Sequence, residues 1–177
     1  QRQMCIRDSI NPLGSTDPKE EKKAICDLAE DHNFWIIDDI TYRDFTPNHV
    51  LAADILPEKT ITGYSVSKNC GLAGLRVGSL VGPKDFISEV RGTMVSDLGI
   101  NVVGQRASIA ALKTKKDWLP GMLETARKNQ EIIKKAVDKV EGATLPVYPS
   151  AASMMVIDIS EHKACLLYTS DAADEHG

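Results

Sequence analysis

Four residues near the middle of the chain could do chemistry together: Asp39, Ser65, Lys68 and Arg76. Asp39 closes the apolar run "FWIIDD" (34–39), and Ser65 closes "TITGYS" (60–65). Lys68 follows within "SVSKNCGLAGLRVG" (65–78), and Arg76 comes eight positions later, with Gly71, Ala73 and Gly74 between them. A carboxylate at the end of a buried run is costly unless it finds a partner. A lysine in a tight, water-poor pocket beside another cation can be held neutral and attack a carbonyl. An arginine offers a planar fork to an anion with two oxygens. Tyr42, three residues after Asp39, can share its site. The small residues between Lys68 and Arg76 let another group approach the backbone closely. A surface ion-pair network uses the same residue types, and spacing alone does not separate the two readings.

These groups need a scaffold that brings their tips to one rim. "FWIIDD" reads as a buried parallel strand with a polar end, and "TITGYS" and "VGSLVG" (77–82) as two more strands. In open parallel sheets, ligands bind beyond the carboxyl ends of the strands, where Asp39 and Ser65 fall. Asp38 alternates to the other side of its strand and reads as structural. Upstream, Asp17-Pro18-Lys19-Glu20 marks a helix start, with Asp17 as cap, and Ala24, Ile25, Leu28 and Ala29 form an apolar stripe. A further helix is expected over 84–96. Helical pattern then runs from about 102 to 141, carrying Leu119, Met122, Leu123, Ala126, Ile133, Ala136, Val137 and Val140. "ATLPVY" (143–148) and "SMMVIDI" (153–159) return to strand character. Strand and helix alternate early, and a long helix leads to a separate strand group.

Bulk properties narrow the function classes. The 177 residues are 42% hydrophobic and 26% charged, with a net charge of −4 and the two signs interleaved. No basic face invites nucleic acid, and no apolar run approaches the roughly 20 residues that span a bilayer. Cysteines at 5, 26, 70 and 165 form no C-x-x-C pair, which argues against a zinc site and a disulfide framework. A reduced, cytoplasmic enzyme is the expectation.

"SVSKNCGLAGLRVG" resembles the S-x-S-K-x-x-G-L-A-G-L-R-x-G signature of class I/II aminotransferases, the fold-type I pyridoxal-phosphate enzymes. "NPLGSTDPKEE" (11–21) resembles their N-P-T-G segment, and "IIDDITYRDF" (36–45) their strand ending in D-x-x-Y. The spacing agrees: 28 positions from Asn11 to Asp39, three from Asp39 to Tyr42, eight from Lys68 to Arg76. Leu13 departs from the usual threonine, and "PSAASMMVIDI" (149–159) only loosely follows the family's P-x-G-x-F segment.

The resemblance implies an α/β fold. A partial cofactor-binding large domain, a mostly parallel sheet with flanking helices, is expected over 10–110. A long helix leads from it into part of an α+β small C-terminal domain over 111–163. The implied cofactor is pyridoxal 5'-phosphate. Lys68 would form the Schiff base and later move the substrate's α-proton. Asp39 would keep the ring nitrogen protonated, while Asn11 and Tyr42 would hydrogen-bond the ring's phenolic oxygen. Ser65, Ser67 and Arg76 would hold the phosphate. Cys70 has no assigned chemistry and reads as packing. The implied reaction moves an amino group between an amino acid and a 2-oxo acid, in a homodimer. Two alternatives share the scaffold: a β-lyase, decarboxylase or synthase reaction, and a cofactor-binding sensor domain of a transcription regulator.

The two ends fit none of this pattern. "QRQMCIRDS" (1–9) and the segment 164–177, beginning "ACLLYTSDAADE" from Ala164, resemble translated sequencing-adapter DNA. Setting both aside makes the chain an internal fragment, expected to be inactive alone and poorly stable. The family's substrate-carboxylate arginine is expected beyond the genuine sequence, since Arg91, Arg106 and Arg127 sit at no matching position.

Overall fold

The computed structural model describes residues 3–7, 11–46, 48–94 and 99–162; the tail at 164–177 lies outside them, as do residues 1–2 and 8–9 of the other tail. Short apolar runs bounded by turn residues become strands, as expected. β1 (Gln3–Arg7), β2 (Trp35–Asp39), β3 (Thr60–Ser65) and β4 (Gly78–Val81) form one sheet in that order. β1 comes from the segment set aside on sequence grounds and runs parallel to β2. β2 and β3 are also parallel, with Asp39 opposite Gly63, whereas β4 is antiparallel to β3, with Gly78 opposite Ser65. The connection from β3 to β4 holds only a one-turn helix, α2 (Val66–Asn69), and a 3-10 turn at Ala73–Leu75. With no helix longer than one turn to carry a crossover, the strand returns alongside its neighbour in the opposite direction.

α1 (Lys19–Asp31) begins with Pro18 in the cap position and no side-chain cap bond, in place of the expected Asp17 cap. Its inward face is also rotated from the expected stripe. Lys22, Cys26 and Ala29 are buried, while Leu28 is 46% exposed. The reason lies across the interface: the Lys22 ammonium donates to Val50 O at 2.8 Å and stands 3.6 Å from Asp38 Oδ1. Asp38 in turn accepts from Ala52 N at 2.9 Å. A buried cation holding a buried carboxylate sets the helix phase, and Cys26, Ala29, Ile36, Ala52 and Leu56 pack as a core around that contact. Asp38 is thus the structural acid that strand alternation requires.

α3 (Lys84–Thr93) is shorter than expected, and residues 95–96 lie outside the described set. The long helical stretch divides into α4 (Val102–Lys113) and α5 (Lys115–Val137) at Thr114, whose hydroxyl donates to Ala110 O at 3.0 Å. The inner face of α5 carries Met122, Leu123 and Ala126 against Tyr42, Phe45 and Ala152, a second core that ties the loop after β2 to the last part of the chain. The two strands expected at 143–148 and 153–159 do not form; a single bridge joins Thr144 to Asp158. Pro146 and Pro149 remove two ladder donors. The backbone beyond them is engaged elsewhere: Ala151 N donates to Gly14 O at 2.8 Å, and Ser150 O and Ala152 O accept from the Gln130 amide.

Candidate active site

Parallel pairing of β2 with β3 brings Asp39 and Ser65 to the same end of the sheet. They line one cavity of about 640 Å³, with Thr41, Tyr64, Leu80 and Arg91. Asp39 Oδ1 accepts from Thr41 N at 3.1 Å and from Thr41 Oγ1 at 2.6 Å. This local turn fixes the carboxylate at the strand tip. Tyr42 follows, 8% exposed, its ring 6.3 Å from that of Phe45. Burial, and then the negative charge of Asp39, push the Tyr42 phenol above its ordinary pKa. It therefore stays a proton donor at neutral pH.

Ser65 caps α2: its Oγ accepts from Ser67 N at 3.1 Å, which leaves the hydroxyl proton free to donate elsewhere. Ser67 is half-buried one residue before Lys68. Lys68 departs from the expected dry pocket. Its side chain is exposed and borders a different cavity, between Phe45 and α5. The cause is helical geometry. Val66 and Asn69 occupy the buried side of the single turn, and Lys68, about 200° from Val66, falls on the other side. Arg76 also stands apart from both cavities. It is exposed, has φ of +52°, and its Nη1 donates to Ala73 O at 3.0 Å, folding the guanidinium onto its own turn. Asn11 is exposed in the loop after β1. The geometry thus gathers Asp39 and Ser65 in one cavity, packs Tyr42 into the core beside Phe45 and Ala152, sets Lys68 one helical turn beyond Ser65, and leaves Asn11 and Arg76 outside.

Sequence reasoning passed over several polar groups around this end of the sheet. Thr41 could have been found, because a hydroxyl two residues after a strand-ending Asp is a recognisable turn signal. Tyr64 lies 3.5 Å from Asp44 Oδ2, and burial pushes its phenol up to about 12. The Asn69 amide beside it pulls the value down, and the Asp44 charge pushes it up. Asn69 is itself fully buried, and its amide completes no hydrogen bond of ordinary geometry among the described residues. Arg91, which matched no motif position, reaches the Asp39 cavity from α3, a placement that only the tertiary fold creates.

Comparison with known proteins gives one consistent family. The family model described as "Aminotransferase class I and II" matches residues 3–176. An aspartate aminotransferase of Pyrococcus horikoshii is 32% identical over 148 residues, covering 80% of this chain and 38% of that protein. An arginine–pyruvate transaminase of Pseudomonas aeruginosa is 27% identical over 163 residues, covering 89% and 41%. Among solved structures, a PLP-bound candidate aminotransferase from Clostridium difficile superposes with a TM-score of 0.83 at 22% identity, covering 90% of this chain and 43% of that one. The structural likeness shows the fold. The chain spans about two fifths of the length of the curated relatives it matches.

Proposed function

The chain belongs to the class I and II aminotransferases, and from this we infer that the whole protein transfers an amino group between an amino acid and a 2-oxo acid, with pyridoxal phosphate as cofactor. The observation that carries the reading is the pairing of Asp39 and Ser65 at adjacent parallel strand tips in one cavity. The donor set fits the cofactor. A carboxylate locked by Thr41 suits a protonated pyridine nitrogen. A phenol kept protonated by burial suits a phenolate oxygen. A hydroxyl with a free proton suits a phosphate oxygen.

When bound, pyridoxal phosphate supplies an aldehyde carbon and a ring that withdraws electrons from it. Asp39 would hold the ring nitrogen's proton, and Tyr42 would donate to the ring oxygen. Ser65, with Ser67, would donate to the phosphate. Arg76 and Asn11 belong to the same proposal; a turn of the Arg76 side chain away from Ala73 O would free its fork for two oxygens. Lys68 Nζ would anchor the cofactor through its aldehyde carbon; released when the substrate's amine takes its place, the free amine would accept the proton from the substrate's Cα and return it one step later. The division into large domain (10–110) and helix plus small domain (111–163) remains part of this reading, as do the non-native tails. A homodimer is supported by α4, where Val102, Val103 and Ile109 are more than half exposed. A cytoplasmic location is supported by the free thiols of Cys26 and Cys70.

The test is direct. The chain mixed with pyridoxal phosphate should gain a near-visible absorption band, and Lys68→Ala should abolish it. A folded chain without the band, or a band that survives the substitution, would overturn the role given to Lys68.

A further inference from the structure

Asp39 is held both by its strand and by the residue two places on. The ladder fixes its backbone: Asp39 stands opposite Gly63 of β3, and Ile40 N donates to Gly63 O at 2.9 Å. What remains is rotation of the side chain about Cα–Cβ and Cβ–Cγ. Thr41 removes it, because its N at 3.1 Å and its Oγ1 at 2.6 Å both donate to the same oxygen, Oδ1. Two donors converging on one atom make the two carboxylate oxygens unlike. Oδ1 is occupied by Thr41. Oδ2 meets no donor among the described residues, and it belongs to a half-buried side chain that lines the cavity of about 640 Å³. Arg91 lines the same cavity, yet makes no ion pair with Asp39 among the described residues. Thr41 is half-buried in that wall, and its branched Cβ restricts the torsion that aims the hydroxyl.

We propose that Thr41 is a positioning residue for this acid: its hydroxyl turns Asp39 so that Oδ2 alone is presented to a cationic N–H, the protonated ring nitrogen of the cofactor. The inference rests on the cofactor reading above and adds a residue to it. A hydrogen bond to a ring N–H weakens steeply as donor, proton and acceptor leave a line. A carboxylate free to rotate would meet that proton with either oxygen or with neither, and would lose its rotation only on binding. Thr41 settles the rotation beforehand, as the chain folds. The backbone N–H cannot do so alone, since a single donor lets the carboxylate pivot about that contact. The effect is aimed at one atom of the ligand, so Thr41 matters only where that atom carries a proton. A hydroxyl that merely closed the turn after β2 would be indifferent to it.

Pyridoxamine 5'-phosphate and its 1-deaza analogue, in which carbon replaces the ring nitrogen, isolate the contact. Neither carries an aldehyde, so neither bonds to Lys68. Calorimetric titration of the 177-residue chain should show a preference for the nitrogen compound. Thr41→Val exchanges the hydroxyl for a methyl group of the same shape. It should weaken the nitrogen compound about tenfold, the effect of losing one hydrogen bond to a charged group, and leave the carbon analogue unchanged. With 15N in the ring, the bound nitrogen should give a pyridinium signal in the unsubstituted chain and move toward neutral pyridine in Thr41→Val. Thr41→Ser keeps the hydroxyl and should keep the preference. Where the valine variant fails to fold, Thr41→Ala gives the same reading. In an Asp39→Asn background, removing the hydroxyl should change neither affinity. Equal weakening of the two compounds by Thr41→Val, or no weakening of either, overturns the role of Thr41 and leaves the cofactor reading in place. Binding of neither compound by the unsubstituted chain sinks the cofactor reading, and this inference with it.

Discussion

The Lys115 ammonium lies 2.6 Å from the Asp44 carboxylate, joining the first turn of α5 to the loop that follows β2. Asp44 is 7% exposed and Lys115 27%, so the pair is largely withheld from water. The carboxylate also faces the Tyr64 phenol. The contact therefore couples the sheet end that carries Asp39 and Ser65 to the helix that walls the Lys68 cavity.

Removing one partner should cost more than removing both. Lys115→Met leaves Asp44 buried without its cation, at about 2 kcal/mol, which in a chain of this size lowers Tm by roughly 4–8 °C. Asp44→Asn combined with Lys115→Met should recover at least about 0.5 kcal/mol relative to the sum of the single changes. Thermal unfolding of the four proteins in the cycle measures this, and simple additivity would contradict the coupling.

The Tyr64 phenol gives a pH signature. Its pKa is raised from the ordinary value of 10.0 to about 12, chiefly by burial. Below pH 10 the phenol is neutral in both folded and unfolded chains, and its contribution to stability is complete. Between pH 10 and about 12 the unfolded chain loses the proton while the folded chain keeps it, so stability falls as pH rises. Ultraviolet titration of the phenolates should show a late component near pH 12 that is absent in Tyr64→Phe. That variant should also lose stability less steeply over the same interval. Titration of every tyrosine near pH 10 would refute the burial argument.

Two glycines separate backbone strain from steric contact. Gly14 and Gly71 both adopt left-handed conformations, with φ of +71° and +65°. A Cβ at Gly14 would run into the side chain of Ser150, whereas at Gly71 nothing lies within 4 Å. Gly71→Ala should cost about 1 kcal/mol from strain alone. Gly14→Ala should cost at least twice that, because it also disturbs the bond from Ala151 N to Gly14 O. Denaturant midpoints of the two variants decide the matter, and equal losses would mean that the contact with Ser150 is soft.

Much of the scaffold was legible in local pattern. The apolar runs located β2, β3 and β4 to within about a residue, because short runs of apolar and β-branched residues between turn signals favour strands, although β4 itself is exposed. What escaped depends on partners distant in sequence. The phase of α1 is set by Lys22 reaching Asp38, which no periodicity of hydrophobic residues can reveal. Near the end, the backbone of residues 150–152, between the two expected strands, is held by Gly14 and Gln130, from two other parts of the chain. At the site, the structure brings Asp39 and Ser65 into one cavity, while Tyr42 packs into the core beside Phe45 and Ala152. The exposure of Lys68 follows from which side of a single helical turn packs inward. Arg91 and Gln130 come from helices whose docking only the fold determines.

Asp38 and Asp39 are adjacent acids that point to opposite sides of β2, one toward Lys22 and one toward the strand-tip cavity. Sliding β2 by a single position would exchange their environments, stranding the wrong carboxylate opposite the lysine and emptying the rim of its acid. The buried cation thus acts as an alignment peg, coupling correct threading of the sheet to the presence of a charge where a ligand would need it. A chain that misthreads here forfeits its fold and its chemistry in the same error.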